Sequence, residues 1–181
     1  MLEAFAGESP SEGRAAMKPS AYLETSIPSY LSAWPSANLL IAAHQQVTHE
    51  WWRDAPRKYD LCVSEAVLRE IRQGDPDAAA HRLEFVRDLQ VLRLNSKIRR
   101  LARLFRQQAG LAESAGADMA HVAYAVYYEV DYLVTWNCAH IANREVVRRL
   151  TDFNREAGRH MPLIVTPEDL LAPDWESEHE T

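Results

Sequence analysis

Polar side chains that could bind a metal ion follow a short apolar segment near the start of the sequence. The stretch AYLETSIPSYL begins with the strand formers Tyr22 and Leu23 and continues with Glu24, Thr25 and Ser26. A carboxylate and two hydroxyls at this point have two explanations: an edge strand that turns into solvent, or a buried strand whose end opens into a metal site. In the second case, the oxygen ligands suit hard cations such as Mg²⁺ and Mn²⁺.

Three further segments carry oxygen ligands where predicted strands end or where neighbouring helices begin. In a parallel α/β sheet, ligands bind in the crevice at the carboxyl ends of the strands. These segments therefore offer their side chains to the same place as Glu24. The residues are Ser64, Glu65 and Glu70 at and after the strand YDLCVS, Asp118 at the start of the helix GADMAHVAYAVYYEV, and Thr135 and Asn137 at the end of DYLVTWN.

Each of these residues also has a purely structural explanation. Asp118 could cap its helix, and Glu65 could interact with the helix dipole in the first turn. Glu70 could occupy an ordinary solvated position of an apolar helix. Thr135 and Asn137 could end a strand and begin a turn. The hypothesis of a metal site therefore rests on the joint placement of the residues, and the role of Glu70 stays open at this point.

Other motifs that could carry chemistry are weak in this sequence. His44 and His49 are five residues apart, which is the wrong spacing for a zinc-binding pair on a helix. The tripeptide Cys138–His140 has no upstream partner that would make it a thiol protease site. The six glycines form no phosphate-binding loop, which argues against a nucleotide site. The basic segment KIRRLARLFR is typical of a solvated helix surface, and it could also contact a phosphate backbone.

The composition is typical of a globular protein. With 181 residues, 47% of them hydrophobic, the chain is long enough for one domain with a substantial core and short for two. The net charge of -6 argues against a general, salt-driven nucleic-acid binder. It does not exclude a nuclease, whose site gathers carboxylates around metal ions. The longest apolar runs fall far short of a membrane span.

The ends of the chain and its cysteines give further expectations. Cys62 and Cys138 are too few for a disulfide framework, so we expect two buried thiols and a cytoplasmic location. Residues 1–17 lack the apolar core of a signal peptide and are predicted to be a disordered leader or a start assigned too early. The folded unit is predicted to span residues 18–171, followed by an acidic flexible tail at 172–181.

The apolar pattern predicts strands that alternate with helices. After the opening strand, the predicted strands are YDLCVS, DYLVTWN and MPLIVTP, and LQVLRL is predicted to be either a brief strand or a loop. The predicted helices include LLIAAHQQVTHEWW, EAVLREIRQG, DPDAAAHRLEFVRDL and SKIRRLARLFRQQAG, with Ser64 and Asp75 as N-caps of the second and third. Apolar strands separated by helices indicate an α/β fold with a mainly parallel sheet covered on both faces.

The order YLETS, VLREI, ADMAHVAYA and YLVTWN resembles that of the PIN-domain ribonucleases, in particular the VapC-like toxins of bacterial toxin–antitoxin pairs. The resemblance runs from Tyr22 to about Leu171, and its most specific parts are DYLVTWNCAHIAN and TPEDLL. It implies a three-layer α/β/α sandwich in which three or four acidic residues surround one or two Mg²⁺ or Mn²⁺ ions. By position, the implied metal-binding and catalytic residues are Glu24, Glu70, Asp118 and Asn137, with Thr25 and Thr135 in supporting positions.

The resemblance thus favours Glu70 over Glu65. It also reveals two departures, since the family usually has Asp at the first position and often at the fourth, where this chain has Glu24 and Asn137. The implied function is metal-assisted hydrolysis of RNA phosphodiester bonds. The alternative is a catalytically weak or inactive PIN-like module that binds protein or RNA. A phosphatase with an aspartyl nucleophile is less favoured, because the first strand ends in Glu24.

The resemblance implies three kinds of partner: an RNA substrate, a cognate antitoxin protein and a second copy of the chain in a homodimer. The helix LLIAAHQQVTHEWW, with Trp51 and Trp52, offers apolar surface for a protein partner. Packing in the core explains the same helix equally well, so the sequence leaves these two alternatives open.

Overall fold

A computed structural model describes residues 18–172 of the chain. The predicted leader at 1–17, and the predicted tail from residue 173 onward, lie outside the described residues. Within the described range the hydrophobic core extends from Ala21 to Leu170.

Five parallel strands form a single sheet. They are β1 (Ser20–Leu23), β2 (Asp60–Ser64), β3 (Gln90–Leu92), β4 (Tyr132–Val134) and β5 (Leu163–Val165). Their order in the sheet is β3-β2-β1-β4-β5. The chain therefore proceeds to one side of β1 and then to the other, which creates a crevice at the carboxyl ends of the central strands.

Helices connect the strands and cover the sheet. Those of the first half are α1 (Ser26–Ser32), α2 (Leu39–Trp52), α3 (Ala55–Lys58), α4 (Glu65–Ile71) and α5 (Pro76–Val86). Those of the second half are α6 (Ser96–Ala109), α7 (Gly116–Tyr127) and α8 (Arg144–Glu156), with short 3-10 helices at Glu113–Ala115 and Asp169–Leu171. α1 packs against α2 and α5, whereas α6 packs against α7 and α8. The predicted three-layer α/β/α fold with a parallel sheet is confirmed.

The predicted helix caps after β2 and before α5 are also confirmed. The Ser64 hydroxyl accepts a hydrogen bond from the Val67 N–H (3.3 Å), and the Asp75 carboxylate accepts one from the Ala78 N–H (2.9 Å). Each side chain satisfies a backbone donor that the first turn of a helix leaves without a partner. At β2 the cap makes the helix begin directly at Glu65, and this fixes where α4 starts relative to the sheet.

Strand β4 is shorter than the predicted strand DYLVTWN. Val134 is the last residue of β4, although the Thr135 N–H still donates to the Val165 carbonyl (2.9 Å). The Asn137 carbonyl then accepts from the N–H groups of Ile141 (3.0 Å) and Ala142 (2.9 Å), so the chain turns at this point. Asn137 therefore lies in a turn just beyond the edge of the sheet.

Two expectations about burial are resolved by the structure. Trp51 on α2 is buried, but Leu39 and Leu40 at the start of the same helix are exposed, so only the second half of α2 packs in the core. Cys62 is buried as expected, whereas the prediction for Cys138 is wrong, because this residue lies exposed in the turn after β4. No helix within residues 18–172 combines the length and the apolar character needed to cross a membrane.

Candidate active site

The two central strands place the first candidate residue. Leu23 of β1 pairs with Val134 of β4, and the Glu24 N–H continues this ladder by donating to the Val134 carbonyl (3.0 Å). Glu24 therefore lies directly beside Thr135 at the carboxyl ends of neighbouring strands. This is the edge at which parallel α/β sheets bind their ligands.

The carboxylate of Glu24 is buried and held in place by three donors. Glu24 as a whole is only 6% exposed. Its Oε2 accepts hydrogen bonds from the Ser26 N–H (3.0 Å), the Ser26 hydroxyl (2.5 Å) and the Thr135 hydroxyl (2.8 Å). All three bonds go to the same oxygen, and within the described part of the chain none goes to Oε1. The second oxygen is thus available to a ligand.

Glu70 on α4 meets Glu24 at this edge. Its Oε2 accepts hydrogen bonds from the Thr25 hydroxyl (2.5 Å) and lies 3.2 Å from Nε2 of His121. Burial raises the pKa of Glu70, but hydrogen bonds from His121 and Thr25 and the positive charges of His121 and Arg69 outweigh burial and lower the pKa below its usual value. Glu70 is therefore held as a carboxylate.

His121 on α7 completes a group of three possible ligands. One ligand atom from each of Glu24, Glu70 and His121 lies within 4.8 Å of the other two. The ring of His121 is also fixed on its other side, where Nδ1 lies 2.7 Å from the Tyr22 hydroxyl, which in turn lies 2.8 Å from the Ser64 hydroxyl. Sequence reasoning placed Ser64 at this edge only as a strand end and cap.

The pKa of His121 reflects its carboxylate neighbours. Burial lowers this pKa, because a charged imidazole loses its hydration in the interior. The hydrogen bond that His121 donates to Glu70 and the negative charges of Glu24, Glu70 and Asp118 act in the opposite direction and raise the pKa above its usual value. The neighbouring carboxylates therefore favour the protonated form of His121.

Asp118 and Asn137 form a second, adjacent cluster with His140. The Asn137 side-chain amide donates to Asp118 Oδ1 (2.9 Å), and His140 Nδ1 lies 2.7 Å from Asp118 Oδ2. The Asn137 Oδ1 accepts from the His140 N–H (3.1 Å) and is thereby already in use. The Asn137 N–H donates to the Thr135 hydroxyl (2.9 Å), which links this cluster to Glu24.

The structure thus brings the four predicted site residues to one edge, but in two pairs. Glu24 and Glu70 lie together with His121, whereas Asp118 and Asn137 lie together with His140. Thr25 and Thr135 donate to Glu70 and Glu24, respectively.

Glu65 turns away from this place. Its carboxylate accepts hydrogen bonds from Arg93 (2.8 Å) and from the Leu94 N–H (2.9 Å). The preference for Glu70 over Glu65 therefore agrees with the geometry.

Sequence reasoning missed both histidines. His121 follows Asp118 by three residues on the same helix, a spacing that places two side chains on one face, and this was a usable signal. His140 follows Asn137 by three residues, but its place depends on the turn after β4, which the apolar pattern does not reveal.

The residues at this edge fit a divalent metal ion. None of Glu24, Glu70 and Asp118 forms an ion pair with a lysine or arginine anywhere in residues 18–172; Glu70 and Asp118 contact the imidazoles of His121 and His140 instead. Buried carboxylates without a cation are costly, and a bound cation removes this cost. Carboxylate oxygens suit both Mg²⁺ and Mn²⁺, while the imidazole of His121 is a ligand that suits Mn²⁺ better than Mg²⁺.

The fold, a five-stranded parallel sheet between helices with acidic residues at its carboxyl edge, is that of the PIN-like α/β/α proteins. The chain is similar to a chain in the crystal structure of VapBC2 from Rickettsia felis bound to a DNA fragment from their promoter, with a TM-score of 0.52 and 16% identity. The match covers 81% of this chain and 97% of that chain. Neither a protein-family model nor a curated protein sequence matches. At this identity the likeness confirms the fold that the resemblance to VapC-like PIN domains predicts.

Proposed function

We propose that the protein is a metal-dependent endoribonuclease that hydrolyses RNA phosphodiester bonds, with Glu24, Glu70, Asp118 and Asn137 as its site residues. The observation that carries the proposal is the group formed by Glu24, Glu70 and His121, whose ligand atoms lie within 4.8 Å of one another at the carboxyl edge of the sheet. The fold neighbour, VapBC2, supports the further proposal that the protein is the toxin of a toxin–antitoxin pair.

Glu24, Glu70 and Asp118 are the proposed ligands of a Mg²⁺ or Mn²⁺ ion, with Asn137 and His121 beside them. An ion bound there would polarise the phosphoryl oxygen, help to generate a hydroxide nucleophile and stabilise charge on the leaving oxygen. The protein's part is to keep the carboxylates ionised and oriented. Thr135 and Ser26 fix Glu24, and Thr25 fixes Glu70, through the hydrogen bonds described above.

Asp118 contributes through its own pair of hydrogen bonds. Asn137 contacts one carboxylate oxygen of Asp118 and His140 contacts the other. The carboxylate therefore has a defined orientation although it is partly exposed. In this arrangement the neutral Asn137 acts as a donor to Asp118 and adds no negative charge. The site then contains three carboxylates, which suffice for one tightly held ion, and a second ion would bind with the substrate phosphate.

We also propose a homodimer, in which the apolar patch of Trp34, Leu39 and Leu40 contacts a second copy of the chain. These side chains are 92%, 87% and 66% exposed, respectively. The Gln45 side chain donates to the Trp34 carbonyl (3.0 Å) and accepts from the Ser36 N–H (2.9 Å), which fastens the Trp34 loop against α2. Large exposed apolar side chains close together on a surface are typical of protein–protein contact sites. A cognate antitoxin and a cytoplasmic location complete the toxin proposal.

One observation favours the alternative function, a PIN-like module without catalysis. Asp118 is not part of the group of three ligand atoms, and its oxygens bind Asn137 and His140 instead. A module of this kind would bind RNA or protein without hydrolysis. Cleavage of a labelled RNA by the purified chain in Mg²⁺, Mn²⁺ or EDTA, together with a Mn²⁺ titration, separates the two functions. The ribonuclease binds Mn²⁺ and cleaves RNA only when metal is present, whereas the module does neither.

A further inference from the structure

Helix α6 carries an unbalanced concentration of positive charge. Within residues 18–172, no cationic side chain of α6 forms an ion pair with a carboxylate. The helix itself contains no acidic residue, in a protein whose net charge is -6. Its cationic residues are Lys97, Arg99, Arg100, Arg103 and Arg106.

The neighbouring helix α8 is equally rich in arginine but is built differently. Arg148 pairs with Glu145 (2.9 Å) and Asp152 (3.3 Å), and Arg155 pairs with Asp152 (2.6 Å). On α6, by contrast, Arg99 and Arg103 are four residues apart with no acidic residue between them. Like charges at this spacing destabilise a helix. A polyanion bound to α6 would offset the repulsion between these arginines. The arginines of α8 need no such ligand, because carboxylates of the same helix pair with them.

The start of α6 lies close to α4, the helix that carries Glu70, because the Glu65 carboxylate of α4 accepts a hydrogen bond from the N–H of Leu94 (2.9 Å), two residues before α6 begins. Arg69 follows Glu65 by one turn of α4, so the two side chains lie on the same face of that helix. Arg69 therefore lies on the face of α4 that meets the segment leading into α6, and Arg99 lies in the first turn of α6. Arg69 is exposed, has no carboxylate partner within residues 18–172, and directly precedes Glu70 in the chain.

Arg69, which is next to Glu70 in the chain, and the arginines of α6 thus lie on neighbouring elements. Arg99, Arg103 and Arg106 succeed one another at spacings of four and three residues, which places them along one face of the helix. Arg106 is partly buried and donates to the Leu111 carbonyl (3.2 Å), which anchors the far end of the row. We call Arg69, Arg99, Arg103 and Arg106 the basic strip.

We propose that the basic strip binds the phosphate backbone of single-stranded RNA and guides the strand to the site at Glu24 and Glu70. The proposal rests on the proposed ribonuclease function, for which it names the path of the substrate. Arginine suits this task, since its planar guanidinium makes paired hydrogen bonds to phosphate oxygens and stays charged at every physiological pH. The strip gives a protein of net negative charge a local surface on which a polyanion can bind.

The basic strip is compatible with the net charge of -6, which argues against a general, salt-driven nucleic-acid binder. A row of three or four arginines contacts few phosphates, so the affinity for RNA should be modest and strongly dependent on salt. Base identity plays no part in such contacts, because phosphate contacts position a strand without reading its sequence.

The test compares RNA binding by two double variants of the full chain with binding by the wild-type protein. Arg99→Gln with Arg103→Gln removes two charges of the strip. Arg148→Gln with Arg155→Gln removes two ion-paired charges of α8 and serves as the control of equal net charge. The probe is a fluorescein-labelled single-stranded RNA of 12 nucleotides. Fluorescence anisotropy is measured in EDTA, where no metal-dependent cleavage occurs, over a series of KCl concentrations, and circular dichroism checks that each variant is folded.

The strip variant should bind RNA about tenfold more weakly at low salt, and the slope of log K against log salt should become shallower by about 1.4, or roughly 0.7 for each lost phosphate contact on a single strand. The control should stay within about twofold of the wild-type protein. Equal affinity and equal slope for the two double variants would overturn the proposal, as would the lack of any RNA binding by the wild-type protein. An acidic protein would then be the better candidate for this surface.

This experiment is independent of catalysis. If the wild-type protein cleaves RNA and the strip variant binds RNA normally, the ribonuclease function stands and the basic strip is wrong. In the opposite case the wild-type protein cleaves no RNA in Mg²⁺ or Mn²⁺, and the strip variant loses RNA binding while the α8 control keeps it. The basic strip then binds RNA as proposed, but as part of a module without catalysis.

Discussion

His121 Nε2 lies 3.2 Å from Glu70 Oε2 at the carboxyl edge of the sheet, with Nδ1 of the same ring 2.7 Å from the Tyr22 hydroxyl. The imidazole is thereby fixed between a strand residue in the core and a carboxylate of the candidate site. Because of this contact, the stability of the metal-free protein depends on the protonation states of His121 and Glu70. The contact also makes the site sensitive to any cation that replaces the imidazolium as the partner of Glu70.

The first prediction concerns the pH dependence of stability in EDTA. The pKa of His121 is raised in the folded protein, so the stabilisation is complete below the unfolded imidazole pKa of about 6.5 and is lost as pH rises through the folded value. The pKa of Glu70 is lowered, so its stabilisation is present above the unfolded carboxyl pKa of about 4.3 and is lost as pH falls through the folded value.

Urea unfolding at a series of pH values in EDTA should therefore give the greatest stability between about pH 4.3 and 6.5. The variant His121→Gln should lose the decline above that range, because glutamine does not titrate. A wild-type protein that gains stability steadily from pH 6 to pH 8 in EDTA would contradict the assigned role of His121.

The second prediction concerns the support of Glu24 by Thr135. Thr135→Val keeps the shape of this fully buried side chain but removes the donor to Glu24 Oε2 and the acceptor for the Asn137 N–H. The Glu24 carboxylate and the Asn137 N–H then each lose a hydrogen-bond partner. We therefore expect the free energy of unfolding, measured with urea, to fall by about 1–3 kcal/mol. Thr151→Val on α8 is the matched control and should change stability little. Equal stability of the two variants would show that the hydrogen bonds at Thr135 contribute nothing.

The third prediction concerns Asp118. Asp118→Asn removes the negative charge of a proposed metal ligand, whose carboxylate Asn137 and His140 orient. RNA cleavage should therefore fall by about 10- to 100-fold or more. The thermal unfolding midpoint should change little, because Asp118 is partly exposed at the start of α7 and outside the core. Cleavage at the wild-type rate by the purified variant would refute the assignment of Asp118 to the site.

The fourth prediction concerns the apolar patch. Replacement of Trp34 and Leu39 by serine should convert a dimer into a monomer, as measured by light scattering after size-exclusion chromatography. Leu171→Ser, which removes another exposed leucine, serves as the control and should leave the dimer intact. A wild-type chain that is monomeric at high concentration would disprove the homodimer.

Much of the fold was predictable because local signals agree with the tertiary structure. The hydrophobic segment from Leu39 to Trp52 forms a helix with the predicted bounds, and Ser64 and Asp75 cap the helices that follow them. Apolar strands separated by helices leave few topologies other than a covered parallel sheet. The predicted fold class therefore follows from patterns that a single sequence contains.

The grouping of the site residues was less predictable. Strand ends indicated Glu24 and Asn137, but the partner of each depends on backbone turns and side-chain rotamers. His121 lies within an apolar helix and resembles a core residue until the position of Glu70 is known. The turn after β4 arises from hydrogen bonds to the Asn137 carbonyl, which no periodicity encodes, and it determines both the place of His140 and the exposure of Cys138.

The most direct test of the central claim compares two glutamates of the same helix. Glu70→Gln removes a carboxylate of the candidate metal site, whereas Glu65→Gln changes the first residue of α4, whose carboxylate pairs with Arg93 away from that site. With Mn²⁺ present, RNA cleavage by Glu70→Gln should fall by more than about 100-fold, beyond the usual loss for residues that only support a metal site, and Glu65→Gln should cleave at nearly the wild-type rate. Equal rates for Glu70→Gln and the wild-type protein would contradict a metal-dependent ribonuclease site at this edge of the sheet.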